Sequence, residues 1–133
     1  MSRKRNHRYQ PRLSRIPVTD ALVAEFRESM TRCEIGLRLQ APTPDVFNEV
    51  AGVLNVIAPL AIPKLGDHHA DAIALRWAAL AMNAALNRAH DYVRMRPDEL
   101  ECMRRGIDAA MRALPRLDVT AMYLQMQALR RAG

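Results

Sequence analysis

The stretch at 67–95, DHHADAIALRWAALAMNAALNRAHDYVRM, is the longest periodic segment of the chain. Ile73, Trp77, Leu80 and Ala84 recur at spacings of four, three and four, and Leu75, Ala79, Met82 and Leu86 form a second row. Both rows have the helical period, so the segment is predicted as a helix apolar over more than half its circumference. Nine alanines lie between positions 70 and 89. Small residues let neighbouring helices approach closely, so this helix is expected at the centre of a bundle, with Trp77 in the core.

The flanking sequence supplies the rest of that bundle. Upstream, APTPDVF at 41–47 is a strong helix start: Thr43 as N-cap, Pro44 at the first helical position, Asp45 beside the positive end of the dipole. Val46, Val50, Leu54 and Ile57 line one face of that helix, and Pro59 and Pro63 are expected to stop or kink it. Before it, a helix from about Thr19 to Leu39 carries Leu22, Phe26, Met30, Cys33 and Leu37 on one side, with Thr19 or Asp20 as cap. Downstream, Pro97 opens a helix with Asp98 and Glu99 in its first turn. Its inner face is Leu100, Met103, Ile107, Ala110 and Leu114; its outer face is Glu101, Arg104, Arg105, Asp108 and Arg112. Gly106 within it suits close packing against a neighbour. Pro115 ends that helix, and Asp118 caps a last one with Val119, Met122, Met126 and Leu129 inward. No alternating β-branched run survives as a strand. The reading is all-α: a compact bundle of four to five helices over 18–133, a single domain, behind an extended basic N-terminal arm at 1–17.

The arm holds the charge. SRKRNHRYQPRLSR at 2–15 carries Arg3, Lys4, Arg5, Arg8, Arg12 and Arg15 and no acid. From residue 16 onward there are 14 basic and 14 acidic residues, so the net charge of +6 sits in the first 15 positions. Such a segment is an electrostatic ligand for nucleic acid, for a nucleoprotein or for an acidic protein surface. Tyr9 adds one stacking aromatic for an unpaired base. No helix of the body shows a basic recognition face, so any nucleic-acid binding is expected to be weakly sequence-specific. Pro11 and Pro17 argue for an extended backbone in the arm.

Candidates for other chemistry are few. DHHAD at 67–71 holds metal-ligand types in His68, His69 and Asp71. Adjacent histidines on a helix point about 100° apart, and His90 lies roughly 30 Å along the same helix. A polar helix start capped by Asp67 therefore accounts for the stretch better than a metal site, and a metal-dependent hydrolase is the last of three functional readings. There is no GxSxG, no phosphate-binding glycine loop and no catalytic triad, so no cofactor and no enzymatic activity are expected. Cys33 and Cys102 lie 69 residues apart and read as core thiols in a reducing compartment. Met103, Met111, Met122 and Met126 read as core filler before they read as an adaptable groove. No apolar run approaching ~20 residues is evident, and the basic start lacks a following hydrophobic segment. A cytoplasmic protein with no membrane contact is expected.

The head RKRNHRYQPR at 3–12, VLNVIA at 53–58, AALNRAHDYVRM at 84–95 and RPDELECMRRGIDAAMRAL at 96–114 together resemble a group of short, basic-headed, helical proteins of proteobacterial phages and prophages. The NH at positions 6 and 7 and the DHHAD turn depart from that pattern. The resemblance implies a small accessory protein of a phage or prophage; the basic arm and the lack of a catalytic set add the expectation that it is non-enzymatic and docks on a nucleic acid or host nucleoprotein complex. Its concrete form would be an inhibitor of a host defence system, of the anti-CRISPR kind. The alternative is a homo-oligomeric structural or assembly protein, a homo-dimer for example, whose apolar helix faces pair.

Overall fold

The computed structural model describes residues 5–38, 43–88 and 95–132, with side chains from Ala21 onward. Five α-helices follow one another: α1 (Arg5–Leu37), α2 (Pro44–Leu65), α3 (Ala70–Arg88), α4 (Pro97–Ala113) and α5 (Val119–Ala132). A short 3-10 turn, Leu114–Arg116, links the last two. The described residues contain no strand, and the fold is the expected helical bundle.

The first difference from the sequence reading lies at the N-terminus. Helical backbone begins at Arg5, so α1 passes through the segment expected to be extended and through Thr19 and Asp20, expected to cap it. Arginine, glutamine and leucine are good helix formers, and extending an existing helix needs no new nucleus. These gains set against Pro11 and Pro17, which remove two backbone donors inside the helix. Further along, Leu22, Phe26, Met30, Cys33 and Leu37 all face the core as the spacing predicts.

α2 begins as its sequence dictates. The Thr43 hydroxyl accepts from the Val46 N–H at 3.3 Å, and Pro44 and Asp45 fill the first turn. Pro59 and Pro63 do not stop the helix; both lie inside it, and their rings are exposed. Pro59 lacks the N–H that would bond the Asn55 carbonyl four residues back. That carbonyl instead accepts from Gln125 Nε2 of α5 at 3.2 Å, so a neighbouring helix completes what the proline leaves open. The helix ends at Gly66, whose φ of 97° suits glycine and whose N–H bonds the Ile62 carbonyl at 3.0 Å.

α2 is also the central helix, a place the sequence reading gave to α3. It packs against each of the other four helices and buries Phe47, Val50, Val53, Leu54, Val56, Ile57, Ala58 and Ala61. Among the described residues it is the one helix long and apolar enough to cross a membrane by length and composition. Here that apolar character covers the inner face of a bundle.

α3 packs on one side only, most closely against α4. Ala72, Leu75, Ala78, Ala81, Met82 and Ala85 are buried. The row Ile73, Trp77, Leu80 and Ala84 faces solvent, with Trp77 58% and Leu80 59% exposed. The expectation of Trp77 in the core is thus overturned. The small residues of α3 serve a close crossing instead. A Cβ added to Gly106 of α4 would stand 2.3 Å from the Ala78 Cβ, so only glycine permits this approach. Met30, Leu54, Ile57, Leu75, Met103, Ile107, Leu114 and Met122 form the fully buried centre.

Candidate interaction surface

The sequence-derived residues do not converge. Of the head, Arg3 and Lys4 lie outside the described residues; Arg5, Arg8, Tyr9, Arg12 and Arg15 are on the helical backbone of α1, and their side chains are not described. His90, the last residue weighed beside the DHHAD turn, also lies outside.

The DHHAD turn is a helix start with its roles redistributed. His69, not Asp67, caps α3: its Nδ1 accepts from the Asp71 N–H at 3.0 Å, and its carbonyl accepts from the Ile73 N–H. Asp67 pairs with Arg76. Asp71 accepts from Nε and an outer nitrogen of Arg112, at 3.0 and 2.8 Å, and so ties the first turn of α3 to α4. His68 is exposed. Among the described residues no group of three or more His, Cys, Asp or Glu is placed to hold a metal ion.

The outer arginines are similarly engaged. Arg104 and Arg105 both reach Glu101, Arg38 reaches Glu34, and Arg32 bonds Glu49, which also accepts from Ser29. The Arg32 guanidinium and the Ser29 hydroxyl hold the Glu49 carboxyl below the usual carboxylate range, against its partial burial. The strongest pair closes the α3–α4 junction. Arg88 donates twice to Glu99, at 2.6 and 2.5 Å, and Glu99 also accepts the Arg96 N–H at 2.8 Å. Glu99 is the one buried charged side chain among the described residues, and this forked guanidinium keeps its pKa low. Asp108 behaves oppositely. Partial burial and the facing Glu34 of α1 raise its pKa, while Arg112 and Arg104 oppose the rise.

Beside these pairs runs a groove of about 540 Å³ between α3 and α4. Its α3 wall is Ala70, Ile73, Ala74 and Trp77; its α4 wall includes Cys102, Arg105 and Asp108. The floor is apolar and the α4 rim charged. Cys102, expected in the core, is half-buried at this rim, whereas Cys33 is buried and its thiol pKa is pushed up to about 12, chiefly by burial. Both thiols are free. The exposed row on α3 continues the groove along the helix. The period alone shows such a row; of the second row, packing covers Leu75 and Met82 and leaves Leu86 exposed.

A second cleft, of about 360 Å³, lies where α1, α2 and α5 meet, lined by Phe26, Val53, Val56 and Met126 with Glu25, Glu28 and Glu49 around it. Met103 and Met122 are buried as filler, while Met126 reaches this cleft.

No family model, curated protein or solved structure matches the chain.

Proposed function

We propose that this is a non-enzymatic binding protein whose N-terminal basic segment attaches it to a nucleic acid or nucleoprotein. One observation carries the reading: charge is segregated along the chain. Six cations and no acid occupy positions 1–15, and the remainder is formally neutral. Within that remainder seven arginines are tied to carboxylates in ion pairs. The head therefore supplies the long-range attraction, and the bundle is the scaffold that carries it. In the phage setting that the sequence pattern suggests, the target would be a host nucleoprotein, and the consequence its inhibition.

The test is a binding measurement on DNA and RNA across a salt series, with the intact chain and with a variant combining Arg3→Glu, Lys4→Glu, Arg5→Glu and Arg8→Glu. If all six cations meet DNA phosphates, log K falls against log salt with a slope near −5, a loss of roughly 10³ in affinity between 50 and 200 mM. The variant should not bind. Equal binding by both proteins, or none by the intact chain at low salt, would contradict the reading.

A further inference from the structure

We infer that the exposed face of α3 is the contact surface for a second copy of this chain, joined antiparallel about a two-fold axis between Ala78 and Ala79. The inference is independent of what the head binds.

Ala70, Ile73, Trp77, Leu80, Ala84 and Asn87 are all exposed, and they follow one another at intervals of three, four, three, four and three. This is the seam of a left-handed helix pair, in which a 3.5-residue repeat keeps one stripe facing a partner helix. The stripe extends over about 26 Å of helix. Leu75 and Met82, on the opposite side, face the chain's own core. The seam is thus a second, outward-facing apolar line on a helix whose inner face is already satisfied.

Size order then selects the partner. In an antiparallel pair centred between Ala78 and Ala79, Trp77 meets Leu80 of the second copy, Ile73 meets Ala84, and Ala70 meets Asn87. Trp77 and Leu80 fill the centre of the pair, and bulky Ile73 falls against small Ala84 on either side. A parallel pair would set Trp77 on Trp77 and Ala84 on Ala84, crowding the centre and leaving the ends unfilled. Charge agrees with the same register. Of the three charged residues in α3, Asp71 comes opposite Leu86, Arg76 opposite Ala81 and Arg88 opposite His69, so no two of them oppose each other. Half-buried Ala74 flanks the seam and permits a close approach there.

Area sets the strength. The stripe exposes apolar surface on the order of 300–400 Å², the size of the largest patch on a typical monomer, where such patches are often functional. Two such stripes fall below the ~1,200 Å² of a standard stable interface, so the pair is reversible and governed by concentration. A dimer would carry two basic heads, and a bivalent polyanion ligand gains avidity without new contacts.

Sedimentation velocity from about 1 µM to about 1 mM tests this, because that range brackets millimolar to micromolar dissociation constants. The intact chain should pass from monomer to dimer; Leu80→Glu should stay monomeric with unchanged helical circular dichroism. Leu124→Glu, at an exposed leucine of α5 away from the seam, should dimerise normally. Orientation is read in a Cys102→Ser background carrying Ile73→Cys or Ala84→Cys. An oxidised mixture of the two should cross-link as the heterodimer, and neither should cross-link alone. A monomer throughout, a dimer indifferent to Leu80→Glu, or self-linking of the single variants would overturn the inference.

Discussion

α2 and α3 are both rich in apolar residues and lie next to each other, yet the bundle uses them differently. α2 touches every other helix and buries eight of its side chains. α3 buries a narrow line, mostly alanine, and leaves Ile73, Trp77 and Leu80 outside. The difference lies in how volume is arranged. On α2 the bulky residues Phe47, Val50, Leu54 and Ile57 face inward and the prolines face out. On α3 the small residues face inward, because α4 approaches through Gly106 at Ala78 with no room for anything larger. A helix packed through its small residues has its large ones left for something else.

The comparison is broken most severely in the core. Ile57→Ala in α2 and Leu75→Ala on the inner face of α3 should each cost about 2–5 kcal/mol, since both side chains are fully buried. Leu80→Ala on the outer face should change monomer stability by no more than about 0.5 kcal/mol. Urea unfolding at a concentration where the protein is monomeric checks all three. A large loss at Leu80 there would mean that the outer row contributes to the monomer fold.

Gly106→Ala comes next. Alanine favours the helix by about 1 kcal/mol, but its Cβ must displace the Ala78 methyl and push α3 from α4, an overpacking cost of about 1–3 kcal/mol. A net loss is expected in thermal unfolding. A gain would show that the α3–α4 crossing gives way easily, and would weaken the contrast with α2.

The smallest effect of the three sharpens the contrast through pH. Glu99 has a lowered pKa in the fold, chiefly because of Arg88. Its ionised form is therefore favoured by folding: the contribution is complete above the ordinary carboxylate range and fades as pH falls through the lowered value. Glu99→Gln should reduce Tm at neutral pH by a few degrees, and the gap from the unaltered protein should narrow in strong acid. A gap of constant size from neutral to strongly acidic pH would assign the effect to packing rather than to the ion pair.

Much of this architecture was legible in the sequence. The stripe on α1, the start of α2 at Thr43 and the inner face of α4 follow from period and capping chemistry, which are local. Local too are the short-range pairs of Glu34 with Arg38 and of Glu101 with Arg105. What escaped depends on contacts distant along the chain. Asp71 is engaged by Arg112, 41 positions away, and the carbonyl left open by Pro59 is met by Gln125, 70 positions from Asn55. The exposure of Trp77 escaped for the same reason. Two apolar rows on α3 look alike in sequence until packing covers Leu75 and Met82 and leaves Ile73, Trp77, Leu80 and also Leu86 exposed. The basic head was legible as a charge, and the partner proposed for it rests on that charge alone.

Trp77 is the sole tryptophan of the chain and stands at the middle of the proposed seam. Its emission, followed as the protein is concentrated, tests most directly the claim that the outer face of α3 is an association surface. Dilute protein should give a solvent-exposed spectrum that shifts to the blue as concentration rises, with no shift in Leu80→Glu. Emission that stays at the exposed position across the whole range would contradict it.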